Sequence, residues 1–168
     1  MAGVVLVAGA NVICLSVIET GASAKTVPCT IGAFARCDGA DFHGRDLYMA
    51  DLYGAELVNA NLVGAKLQHA DLIQANLTGA RMRDARLLYA KLSFAHLIDA
   101  TLPDADLNYA TLIGAHLDGA ELSGATFYYA DLTGADLTGA KGFSISSTIH
   151  ATLCRTTLPD GTINNSRC

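Results

Sequence analysis

From Ala35 onward the apolar positions recur every five residues, in the order Ala, any residue, Leu, any, any. Taking the Leu position as the centre of each unit, the centres run from residue 37 to residue 137 in 21 consecutive units. Seventeen centres are Leu, and the other four are Cys37, Phe42, Met82 and Phe127. Two residues before the centre stands Ala in 20 of the 21 units, with Arg45 the single exception. A helix advances about 100° per residue, so successive centres would spiral around it and never share a face. A straight strand alternates faces with period two, so an odd period would throw each Leu to the opposite side. Only a chain that bends once per unit can send every Ala and every Leu inward, and repeated bending in one sense predicts a solenoid. Gly two residues after the centre in ten units, from Gly39 to Gly139, supplies the freedom that corners need. The expected core centres include Leu47, Leu52, Leu62, Leu72, Met82, Leu92, Leu112, Phe127 and Leu132.

Runs such as Ala60-Asn-Leu-Val-Gly, Ala75-Asn-Leu-Thr-Gly and Ala130-Asp-Leu-Thr-Gly resemble the A(D/N)LXX signature of the pentapeptide-repeat family. The resemblance spans residues 35–140. It implies an all-β solenoid, a right-handed quadrilateral β-helix with four units per coil. At the ~4.8 Å spacing of paired strands, 21 units then make a rod roughly 25 Å long.

The ends differ from the repeat. Residues 1–18 carry no charged side chain, and Ala22, Ser23 and Ala24 stand immediately before Lys25. An apolar run followed by a small-x-small site reads as a secretory signal peptide over residues 1–24, although no Lys or Arg precedes Lys25. A retained membrane anchor and a hydrophobic cap on a cytoplasmic protein are the other readings of the same residues. Residues 25–34 read as an N-terminal cap and residues 141–168 as a C-terminal cap. After Ala140 the period slips by one, and Phe143, Thr148, Leu153, Leu158 and Ile163 again keep a spacing of five. The Pro159-Asp160-Gly161 turn signal argues against a simple continuation. Capping is a physical requirement, because an open rung exposes unpaired strand edges.

Beyond the leader the chain has four cysteines, Cys29, Cys37, Cys154 and Cys168, one close pair at each end of the array. An even number in an exported chain points to disulfides, and of three connectivities sequence separation favours Cys29–Cys37 and Cys154–Cys168. Free thiols, with Cys37 simply a core residue, are the alternative.

With four units per coil, residues 20 apart fall in one surface column. One column holds Met49, His69, Tyr89, Tyr109 and Tyr129, flanked by Tyr48, Leu88 and Tyr128. The tyrosines Tyr48, Tyr89, Tyr109, Tyr128 and Tyr129 form a candidate interaction strip, the alternative being that tyrosine stacks well on a β surface. A second column holds Glu56, Asn76, His96, His116 and Asp136, which brings two imidazoles near metal-ligand spacing but turns them outward. Arg81, Arg83, Arg86 and Lys91 read as a small basic patch, and Arg45 is expected to turn its head to solvent or to Asp41, Asp46 or Asp51.

The net charge of −5 lacks the basic clustering that duplex binding needs. No phosphate loop, HExxH, nucleophile elbow or CxxC occurs, so no catalytic residue, metal or cofactor is expected. The reading that follows is a non-enzymatic scaffold or protein-interaction module in a periplasm or thylakoid lumen. Its partner is an unknown protein or a second copy of the chain, with neither nucleic acid nor, in the mature form, a membrane. The alternative, which the resemblance implies, is a cytoplasmic DNA mimic that binds DNA gyrase.

Overall fold

The computed structural model describes residues 13–16 and 27–168. The predicted leader, with its Ala22–Ala24 site, lies outside the described residues except for β1 (Ile13–Ser16). This strand pairs antiparallel with β2 (Val27–Thr30), placing Cys14 opposite Cys29. No helix among the described residues is long and apolar enough to cross a membrane.

The repeat folds into coils of four units. Parallel bridges join residues 20 apart, from Arg36–Glu56 through to Glu121–Lys141. Each side of a coil contributes a single bridging residue, so the rungs are isolated bridges and long strands do not form. The centre side chains named above are buried, Leu52, Met82 and Phe127 among them with no exposed surface, and the Ala positions close the gaps between them. Arg45, in place of an Ala, is exposed, as a guanidinium must be where the interior offers it no partner.

The backbone hydrogen bonds explain the residue chosen at each place in the unit. Along the rod the centre N–H donates one coil on, as from Leu72 to the Lys91 carbonyl at 2.8 Å. The residue before the centre donates one coil back, as from Asn76 to Ala55 at 2.8 Å. The second residue after the centre donates one coil on, as from Gly79 to Ile98 at 2.9 Å. The Ala N–H closes the turn onto the preceding centre carbonyl, as from Ala75 to Leu72 at 3.0 Å. The residue just after the centre keeps an N–H that the ladder does not use. The Asp or Asn before the centre accepts it, as Asp131 does from Thr133 at 3.0 Å and Asp136 from Thr138 at 2.9 Å. A short acceptor at that position thus satisfies the fifth donor, since a backbone N–H left without a partner is costly.

Every one of the 21 corners has its second post-centre residue in the left-handed region, with φ between 54° and 75°. Ten are the glycines, and eleven are larger residues, including Met49, His69, Tyr89, Tyr109 and Tyr129. The bend is therefore set by the fold at all corners, including those where the sequence carries no glycine.

Both expected disulfides are present, Cys29–Cys37 with Cα atoms 5.2 Å apart and Cys154–Cys168 with 4.7 Å. Cys29 and Cys37 are both buried, so the first one closes the base of the core. At the other end the one-residue slip has a structural form. A 3-10 helix, Ile145–Thr148, replaces one unit, and the next bridges join residues 21 apart, Asp131–Thr152 and Asp136–Thr157. Thr148 and Leu153 are buried as the spacing of five requires, and Phe143 packs against the core with its ring centroid 5.8 Å from that of Phe127. Ile163 departs from the expectation and is 65% exposed. The chain reverses at Pro159–Gly161, and β3 (Thr156–Thr157) pairs antiparallel with β4 (Ile163–Asn164), so the spacing loses its meaning there. The last residues then cover the terminal rung: Arg167 Nη1 donates to the Thr148 and Ala151 carbonyls at 3.2 and 3.0 Å, and the Leu153 N–H donates to Ser166 O.

Candidate functional site: an aromatic corner

The 20-residue coil places His69, Tyr89, Tyr109 and Tyr129 above one another at a single corner. Their rings stack. Centroids are 5.1 Å apart for His69–Tyr89, 4.9 Å for Tyr89–Tyr109 and 5.2 Å for Tyr109–Tyr129, with interplanar angles of 13°, 27° and 13°. The spacing is that of the rungs, so the backbone ladder itself dictates the stack. His150 adds a fifth ring, 4.8 Å above Tyr129 and 17° from parallel. The sequence column missed this member because the 3-10 insertion moves it to a spacing of 21.

Two further tyrosines brace the ends edge-on. Tyr48 meets His69 at 5.6 Å, and Tyr128 meets Tyr129 at 4.4 Å and His150 at 5.5 Å. A hydrogen bond with Tyr129 holds the Tyr128 phenol above its usual pKa. All five expected tyrosines are exposed, as is Met49 at the foot of the column. The structure thus brings the five tyrosines into one continuous ribbon with Met49, His69 and His150. On the next corner Phe34 and Phe94 are exposed too.

The second sequence column, Glu56 to Asp136, lies along a different side. His96 and His116 stack at 5.1 Å, and His116 Nδ1 is 3.8 Å from the Asp118 carboxylate. Asn76 donates to Glu56 at 2.9 Å. Among the described residues, no group of three or more His, Cys, Asp or Glu side chains is arranged to hold a metal ion.

The basic residues do not form one patch. Arg81, Arg86 and Lys91 each stand just before the centre of successive units, and successive units occupy successive sides of the coil, so the three point in different directions. Arg83 lies 4.0 Å from Asp104, while Lys91 pairs with Asp71 at 3.2 Å and Lys66 with Asp46 at 3.3 Å. These are exposed pairs between coils, each contributing little.

The comparisons with known proteins agree with this architecture. The family profile described as pentapeptide repeats (8 copies) matches residues 35–72, 65–104 and 105–141, and the chain belongs to the pentapeptide repeat family, whose fold is a right-handed β-helix. Among solved structures, a pentapeptide repeat protein of Nostoc PCC 7120, alr5209, is 35% identical over 64% of this chain and 84% of its own, with a TM-score of 0.51. HetL, a pentapeptide repeat protein involved in heterocyst differentiation regulation in Nostoc, is 30% identical over 79% of this chain and 73% of its own, with a TM-score of 0.35. A pentapeptide repeat protein of the Arabidopsis thaliana thylakoid lumen is 25% identical over 64% of this chain and 67% of its own, with a TM-score of 0.38. Among curated proteins nothing matches the chain.

Proposed function

We propose that the protein is a non-enzymatic interaction module that presents its aromatic corner, on a rigid rod, to a protein partner in an extracytoplasmic compartment. The observation that carries the reading is the exposed five-ring stack from His69 to His150. Aromatic side chains supply large contact area at small entropic cost, and the backbone ladder has already fixed these rings in place. The two disulfides support an oxidising compartment, a periplasm or a thylakoid lumen, because cytosolic thiols are kept reduced. The core of Leu and Ala leaves the surface as the place for function.

Affinity capture from the native compartment tests it, using the wild-type chain beside a variant with Tyr89, Tyr109 and Tyr129 changed to Ser. A partner retained by the wild type and lost by the variant is the expected result. Equal retention by both would remove the aromatic corner from the reading. Sedimentation of the purified chain shows whether the partner is a second copy. The alternative, a cytoplasmic mimic of duplex DNA, predicts an effect on DNA gyrase in a supercoiling assay, and we expect none. Arg81, Arg83, Arg86, Lys91 and Lys66 break the acidic surface such a mimic needs on three of the four sides.

A further inference from the structure

We propose that Tyr89, Tyr109 and Tyr129 form a site of oxidative modification, at which a one-electron oxidant couples neighbouring rings into a dityrosine bridge between successive coils. The inference does not depend on partner docking and concerns only what the stacked phenols can do. Three features carry it. The rings are accessible, at 45%, 39% and 47% exposure, so a diffusing oxidant reaches them. They lie nearly parallel with centroids 4.9 and 5.2 Å apart, so two phenoxyl radicals formed on neighbouring rungs are already held together. Holding reactants in a near-attack arrangement turns a second-order coupling into an intramolecular one, with a very large gain in effective concentration. Third, Tyr109 is flanked on both sides, so a radical formed there has a phenol neighbour above and below.

The step balances as follows. Each of two tyrosines gives one electron to the oxidant, an oxidised metal complex or peroxidase-type centre, and its hydroxyl proton to water. The unpaired electrons then join as a carbon–carbon bond between ring positions ortho to the hydroxyls. Each ring regains aromaticity as its ortho hydrogen moves, through water, to its own oxygen. Two electrons and two protons leave in all, so the product is lighter by two hydrogens, and its bridge ties residues 20 apart.

The chain contains its own controls. Tyr48 packs against His69, and Tyr53 hydrogen-bonds Gln74 and packs against Phe34; among the described residues neither has a tyrosine ring contact. The experiment exposes the full-length, disulfide-intact chain at high dilution to a photo-oxidised ruthenium polypyridyl complex with persulfate. Bridged peptides are then read by mass and by dityrosine fluorescence. Expected are intrachain Tyr89–Tyr109 and Tyr109–Tyr129 bridges short of two hydrogens, in a yield independent of protein concentration. Tyr109→Phe, which keeps the stack but cannot form a phenoxyl radical, loses both bridges, whereas Tyr48→Phe and Tyr53→Phe keep them. Circular dichroism confirms that each variant is folded. Bridges that form only between chains, bridges that use Tyr48 or Tyr53 as readily, or no loss of two hydrogens would each overturn the proposal.

Discussion

Two corners of the same rod show how one backbone serves two ends. The aromatic corner runs Met49, His69, Tyr89, Tyr109, Tyr129, and another corner runs Gly39, Asn59, Gly79, Asp99, Gly119, Gly139. Both hold φ in the same left-handed range, so their backbones are alike. What differs is how side chains share the rung spacing. At the second corner larger residues alternate with glycines as far as Gly119, and the Asn59 and Asp99 side chains lean over Gly79 and Gly119, filling the space a Cβ would need there. At the first, flat rings stack one per rung and need no glycine between them. A left-handed backbone costs a non-glycine residue on the order of 1 kcal/mol. The aromatic corner bears that cost at every rung, and stacking, at about 0.5–1.5 kcal/mol per pair, offsets it. The contrast teaches that the residue at a corner can vary widely without changing the backbone of the fold.

The largest effect should come from a change that ignores the contrast. Leu92→Ala empties a fully buried core position and should cost about 2–5 kcal/mol, read as a shift in the denaturant midpoint. Next, Tyr109→Ala removes two stacks while keeping the strained backbone and should cost about 1–3 kcal/mol. Tyr109→Gly loses the same stacks but relieves the backbone, so it should be more stable than the Ala variant by about 1 kcal/mol. Equal stabilities would show that the left-handed corner carries no strain. At the glycine corner the same order holds: Gly119→Ala should destabilise by about 1 kcal/mol, because φ is +69° and the Asp99 carboxylate must move.

The smallest effect is a pH dependence at the top of the glycine corner. The Thr138 hydroxyl and N–H, with His116 nearby, hold the Asp136 carboxyl below its usual pKa. A carboxyl lowered in the folded state contributes stability that is complete above its unfolded pKa, near 3.8, and is lost as pH falls through the lower folded value. Asp136→Asn, which keeps an acceptor for the Thr138 N–H, should flatten the acid limb of the thermal midpoint between about pH 5 and 2. A wild-type limb that matches the variant's would show that Asp136 does not contribute.

Much of the site was legible because the fold is nearly one-dimensional. A period of five, with Ala and Leu inward, dictates the coil, and once four units make a turn, residues 20 apart must stack. Tyr89, Tyr109 and Tyr129 could therefore be aligned from their numbers, and Cys154 could be matched to Cys168 by proximity in sequence. The same regularity misled where it ended. Ile163 kept the spacing but not the burial, because the hairpin reverses the chain before it. Arg81 to Lys91 are neighbours in sequence, yet the coil turns them onto different sides.

The sequence by itself determined the inward face, because local periodicity decides which side chains can be buried together, and the columns followed once the family resemblance supplied four units per coil. The tertiary structure decided the rest. The left-handed bend at eleven corners without glycine comes from rung hydrogen bonds that outweigh the local preference of Tyr, His or Met. The place of His150 on the aromatic stack follows from a 3-10 insertion whose geometry no spacing rule contains. Arg167 covers the last rung because carbonyls left open at a rod's end need donors, and only the folded chain brings one within reach.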